Sequence, residues 1–217
     1  MKKLSITTIL CSIILFIISC GPSGNKIEDV TQLNPDDTDA YYNRGVAKNN
    51  LQDYIGAIAD YNKAIQLKPD FADAYYNRGN AKSDLQDYTG AIADYNKAIQ
   101  LNPDDTDAYY NRGITKFDLK DYTGAIADYN KTIQLKPDYA NAYNNRGNAK
   151  SNLKDYTGAI TDYNKAIQLN PNLSQAYFSR GCTKYKFNDK NGACTDWSKA
   201  GKLGDSDAYK SIKKYCQ

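Results

Sequence analysis

The stretch Tyr41-Tyr42-Asn43-Arg44-Gly45 returns as Tyr75-Tyr76-Asn77-Arg78-Gly79 and Tyr109-Tyr110-Asn111-Arg112-Gly113, each time 34 residues further on. Altered copies follow at Tyr143-Asn144-Asn145-Arg146-Gly147 and Tyr177-Phe178-Ser179-Arg180-Gly181. A strict period of this size describes a stack of one small unit, in which each unit touches mainly its neighbours and no large central core forms.

The rest of the unit keeps the same step. Ala57, Ala91, Ala125, Ala159 and Ala193 share one slot; Tyr61, Tyr95, Tyr129, Tyr163 and Trp197 share another; Pro69, Pro103, Pro137 and Pro171 close the units. Aromatic, Gly, Ala, aromatic and Pro at these spacings resemble the tetratricopeptide repeat (TPR). The resemblance implies an all-α fold, a right-handed α-solenoid of five TPR helix pairs with a C-terminal capping helix. The units are expected at 38–71, 72–105, 106–139, 140–173 and 174–207, with the cap at 208–217. Tyr209, Ile212 and Cys216, backed by Lys210, Lys213 and Lys214, give that cap one apolar stripe. Upstream, Ile27, Val30 and Leu33 match the tail of a second helix and predict a partial N-capping helix within 20–37.

Within a unit, Ala40 to Leu51 and Tyr54 to Leu67 read as two amphipathic helices. Asp36, Asp70, Asp104, Asp138 and Asn172 recur ahead of the first helices and Asp53, Asp87, Asp121, Asp155 and Asp189 ahead of the second, where such side chains cap free amides. The glycines of the repeat are expected to let the two helices approach closely. Arg44, Arg78, Arg112, Arg146 and Arg180 stand where many TPR units carry Leu, and Asp60, Asp94, Asp128, Asp162 and Asp196 recur in phase with them. Matched charges predict a pair across each helix hairpin. A ladder of arginines for an anionic ligand is the alternative.

The N-terminus carries a second signal. Lys2 and Lys3 precede an apolar run from Leu4 to Ile18, short for a membrane span of about 20 residues. It ends in Ile17-Ile18-Ser19-Cys20-Gly21, which resembles the bacterial lipobox. The expectation is a lipoprotein signal peptide over 1–19, lipidation at Cys20, and anchoring to a membrane of the bacterial cell envelope, at the outer membrane or the periplasmic face; an ordinary signal peptide with a chance cysteine, or an uncleaved anchor, is the alternative. Acyl chains would supply that anchor.

Composition excludes several functions. Lys and Arg total 28 against 25 Asp and Glu, and loss of Lys2 and Lys3 leaves 26 against 25, so there is no electrostatic case for nucleic acid. Histidine is absent, which removes histidine-dependent triads and the common zinc sites. The Asp-Asp-Thr-Asp runs lack the Gly and distal Glu of a calcium loop. Neither metal, cofactor nor enzymatic activity is expected. Of Cys182, Cys194 and Cys216, one pair could form a disulfide outside the cytoplasm, with Cys194–Cys216 tying the last helix down; simple burial of all three is the alternative.

The TPR resemblance places the first helices on the inner surface of the superhelix. The ligand groove is then expected to show Asp39, Tyr42 and Asn43, then Asp73, Tyr76, Asn77 and Asn80, then Asp107, Tyr110 and Asn111, then Asn145 and Asn148. Asn both donates and accepts, which suits a peptide backbone, and tyrosine offers a flat face with a polar tip. The groove slots alternate between Asn80 or Asn148 and Val46 or Ile114, a 68-residue rhythm that suggests duplication of a two-unit block. These features point to a membrane-anchored scaffold that binds an extended peptide or protein partner. A glycan- or peptidoglycan-binding module is the alternative.

Overall fold

The computed structural model describes residues 36–216. The signal peptide, Cys20 and the partial helix at Ile27, Val30 and Leu33 lie outside the described residues. From Thr38 the chain is a succession of helices: α1 Thr38–Asn50, α2 Tyr54–Leu67, α3 Ala72–Asp84, α4 Tyr88–Leu101, α5 Thr106–Asp118, α6 Tyr122–Leu135, α7 Ala140–Asn152, α8 Tyr156–Leu169, α9 Ser174–Lys186, α10 Lys190–Lys202 and α11 Ser206–Tyr215. They pack as consecutive antiparallel pairs, α1 with α2 through α9 with α10, and each pair rests on the next. First helices of successive units also touch one another, whereas second helices of successive units make no comparable contact. First helices therefore line the inner side of the stack and second helices its outer side.

The core is built from alanine and one ring per unit. Ala57, Ala91, Ala125, Ala159 and Ala193 are fully buried, and Tyr61, Tyr95, Tyr129, Tyr163 and Trp197 are nearly so. Each ring lies across the glycine of its first helix. A Cβ on Gly45 would stand 2.7 Å from Tyr61 Cε1, and the same holds within 0.1 Å at Gly79, Gly113, Gly147 and Gly181. The recurring glycine is thus the seat of the ring, since interiors at native density cannot absorb such an overlap.

Turn chemistry differs between the two kinds of connection. Asp53, Asp87, Asp121, Asp155 and Asp189 cap the second helices, accepting from the amides of Gly56, Gly90, Gly124, Gly158 and Gly192. Ahead of the first helices the cap lies one residue later than the sequence suggests. Asp70 and Asp138 instead follow Pro inside a turn closed by Phe71 N–H to Lys68 C=O and Tyr139 N–H to Lys136 C=O. The cap slot itself holds Asp37 and Asp105, which accept helix amides, but Phe71, Tyr139 and Leu173 in the other units, which do not.

Helix α11 repeats the start of a first helix in a register two residues short of the 34-residue step: Asp205-Ser206-Asp207-Ala208 stands for Asp105-Thr106-Asp107-Ala108, and Asp205 caps as Asp105 does. By that register Ile212 and Cys216 replace Arg180 and Lys184 of α9. Cys216 is bonded to Cys194 of α10, with the Cα atoms 5.8 Å apart, and Tyr215 stacks on Tyr185 at 4.6 Å. The last hairpin is closed by apolar contacts and a disulfide where internal units use charge.

Candidate peptide groove

Charge locks each unit together. In the second unit Arg78 donates from Nε to Asp94 Oδ2 at 2.8 Å and from Nη2 to Asp94 Oδ1, and Lys82 Nζ approaches the same Oδ2 at 2.7 Å. All five units repeat this arrangement, with Lys48, Lys116, Lys150 and Lys184 as the other second cations. The arginines therefore do not form a free anion-binding ladder. Burial pushes the Asp60 carboxyl up, yet the hydrogen bonds from Arg44 and Lys48 outweigh it and hold its pKa below the ordinary value. Arginine also bridges units: Nη1 of Arg78, Arg112, Arg146 and Arg180 donates to Asn62, Asn96, Asn130 and Asn164 of the unit before. The lysine and outer asparagine rows escaped the sequence reading, although both keep the 34-residue step.

On the inner side the expected groove residues are drawn into pairs. Asn77, Asn111 and Asn145 each donate to the phenol oxygen of the preceding unit's Tyr42, Tyr76 and Tyr110 at 2.8 to 3.0 Å. Each couple then retains the tyrosine O–H as donor, and Asn77 and Asn111 retain their carbonyl as acceptor, whereas the Asn145 carbonyl accepts from Asn144. Asn80 accepts from Tyr95 and Asn111, and Asn148 accepts from Tyr163, so these two tie the groove to the second-helix rings. Asp39, Asp73 and Asp107 stand exposed beside the row, as do Asn43 and Asn141. Burial raises the Tyr42 phenol above its ordinary value, Asp73 adds to that, and the bond from Asn77 opposes it.

The junctions alternate in chemistry. Between units one and two Phe71 lies on Tyr42 at 4.8 Å, and between units three and four Tyr139 lies on Tyr110 at the same distance. Between two and three Ser83 meets Thr115, and between four and five Ser151 meets Thr183. The 68-residue rhythm is therefore, in part, an alternation of aromatic and hydroxyl contacts between units.

A cavity of about 330 Å³ opens on the groove at the third junction. Its apolar walls are Tyr110, Ile114, Phe117 and Tyr129, and Asn141, Asn145, Asn148 and Gln175 form its rim. Asn144, in the slot held by tyrosine in the first three units, is buried with Tyr129 in its lining.

Family models for the TPR repeat match residues 49–86, 79–120 and 115–154, and a further tetratricopeptide repeat model matches 140–173. The chain belongs to the tetratricopeptide repeat family. It adopts the right-handed TPR solenoid, an architecture of non-catalytic scaffolds, and shares it with solved structures. The crystal structure of MamA protein is 26% identical, with a TM-score of 0.71 over 82% of this chain and 94% of MamA. YrrB, described as a TPR protein with an unusual peptide-binding site, is 22% identical, with a TM-score of 0.71 over 83% of this chain and 94% of its own. PilF of Pseudomonas aeruginosa is 20% identical at a TM-score of 0.69, covering 78% of this chain and 77% of PilF. No curated protein sequence matches the chain.

Proposed function

We propose that this TPR protein is a scaffold that holds an extended peptide segment of a partner protein along its inner groove. The observation that carries the proposal is the run of Tyr42–Asn77, Tyr76–Asn111 and Tyr110–Asn145 couples. Each offers a tyrosine O–H donor and the first two add an Asn carbonyl acceptor, at a fixed repeat that suits the groups an extended backbone displays in return. The exposed Asp39, Asp73 and Asp107 bias the first three units towards neutral or basic segments, while Asn141 and Gln175 leave the last two neutral.

We further infer that the protein works at a bacterial envelope membrane, held by lipid on Cys20. The sequence Ile17 to Gly21 supports this reading, and so does the Cys194–Cys216 bond, a cross-link that persists in oxidising compartments. Labelled palmitate incorporation into wild type but not Cys20→Ser is the expected result; equal labelling of both, or of neither, contradicts the anchor.

The groove is tested by panning a random peptide library on the purified protein and on an Asp73→Lys, Asp107→Lys variant. Retention of neutral and basic peptides by the wild type and their loss from the variant supports the reading. Equal retention by both refutes it, and retention of peptidoglycan oligosaccharides with no peptide selected favours the glycan module instead.

A further inference from the structure

The cavity at the third junction sits where the repeat has lost a ring. Tyr42, Tyr76 and Tyr110 occupy one slot on the inner side; the fourth unit places Asn144 there. This side chain is 2% exposed. Its amide nitrogen donates to Asn145 Oδ1, whose own nitrogen donates to the Tyr110 phenol oxygen, so the relay fixes the orientation of both amides. Asn144 Oδ1 is left as a buried acceptor that no donor among the described residues reaches. Such an atom is costly, because it has lost water and gained nothing. It marks a place where a ligand donor is wanted.

The walls say what carries that donor. Tyr110, Ile114, Phe117 and Tyr129 present flat or aliphatic surface, and Tyr110 is held by Tyr139 on one side and Asn145 on the other. No charged side chain lines the cavity among the described residues. A lysine or arginine of the ligand would therefore bury its charge without a carboxylate partner. At about 330 Å³ the space lies at the lower end of ligand pockets, the size for one large side chain and not for a folded element. The occupant is neutral, has a planar apolar body, and ends in a hydrogen-bond donor.

Two amino acids meet that description, tyrosine and tryptophan. An indole only donates, whereas a phenol donates and accepts at one atom. The rim carries amides on Asn148 and Gln175 that can give a hydrogen bond as Asn144 receives one. Amide-to-phenol bonding is also what the first three junctions use.

Resting on the peptide-groove reading, we propose that this cavity is a specificity pocket for a tyrosine side chain of the bound segment, which takes the place of the missing repeat tyrosine. Its O–H donates to Asn144 Oδ1 and its ring lies among Tyr110, Ile114 and Phe117.

The test uses the full-length protein in detergent, fluorescent Ser/Ala peptides that differ only in one central Tyr, Phe, Trp or Lys, and N-acetyl-L-tyrosinamide as a free probe. The Tyr peptide is expected to bind about tenfold more tightly than the Phe peptide, the value of one buried hydrogen bond. Asn144→Tyr fills the slot with the residue of the first three units, so it should keep its helicity and melting temperature while losing the Tyr preference and the N-acetyl-L-tyrosinamide signal. Equal binding of Tyr, Phe and Lys peptides overturns the pocket and leaves the groove standing, as does a Tyr preference that survives in Asn144→Tyr. Binding of the free probe to wild type alone, with no peptide retained, upholds the pocket and overturns the groove. A preference for Trp, or displacement of the probe by N-acetylglucosamine, overturns the assignment to tyrosine.

Discussion

Arg112 Nη1 donates to Asn96 Oδ1 at 2.6 Å across the second junction, while the same guanidinium grips Asp128 within its own unit and covers the Tyr109 ring at 5.3 Å. One side chain thereby joins two helices of its unit to the outer helix of the unit before. Where many TPR units carry Leu, this repeat places a charged side chain that binds within its unit and across the junction at once.

Removal of the acid should expose that dependence. Asp128→Ala leaves Arg112 and Lys116, 15% and 20% exposed, without their anion, and is expected to cost about 2–4 kcal/mol in urea unfolding. Asp60→Ala should cost less, because Arg44 is 42% exposed and can turn to water. Equal losses at the two positions would show that burial of the arginine does not set the cost.

Alkaline pH should attack the core rings. Burial lifts the Tyr61 phenol from 10.0 to about 12, and it lifts Tyr95, Tyr129 and Tyr163 as well. A group raised in the folded state supports folding fully below its unfolded pKa and loses that support as pH climbs to the folded one. Stability is therefore expected to be level up to about pH 10 and to fall between about 10 and 12. Melting temperatures measured across that window, with phenolate absorbance at 295 nm, check it.

Within each hairpin one residue adopts a left-handed backbone: Gln52, Gln86, Lys120, Lys154 and Asn188, with φ from 62° to 67°. The flanking amides close a Schellman motif, as in Asp121 N–H to Lys116 C=O and Lys120 N–H to Phe117 C=O. Glycine occupies such a position without the Cβ penalty. Lys120→Gly is expected to raise stability by about 0.5–1 kcal/mol in chemical denaturation.

Reduction of Cys194–Cys216 should loosen the far end alone. The bond closes a segment with a sequence separation of 22, for which chain entropy gives about 3 kcal/mol. Hydrogen exchange under dithiothreitol is expected to quicken in α11 and α10 while α3 to α6 keep their protection.

Much of this architecture was legible because the repeat states each role five times. The Gly45–Tyr61 seat, the Asp53 cap and the Arg44–Asp60 pair all follow from residues that recur in phase. Caps of first helices were misplaced by one position because Asp70 serves a Pro-Asp turn, and both roles favour the same residue type. The left-handed residues were invisible, since glycine is their usual sign and none stands there. Groove roles were only half legible: Asn77 and Asn80 look like ligand groups in sequence, yet a neighbouring unit or helix already engages them. The pocket at Asn144 was not legible in sequence, because a missing ring leaves a space whose apolar walls come from the unit before and whose rim reaches Gln175 of the unit after.

Photo-crosslinking in the native cell tests the scaffold reading most directly. A benzophenone amino acid is placed at exposed Asp107 or Asn141 on the inner side, and at exposed Ala93 or Ala127 on second helices. Discrete protein adducts from the two inner positions, and none from the two outer ones, are the expected result. Adducts only from Ala93 and Ala127, or none from any position, would contradict a peptide-holding groove.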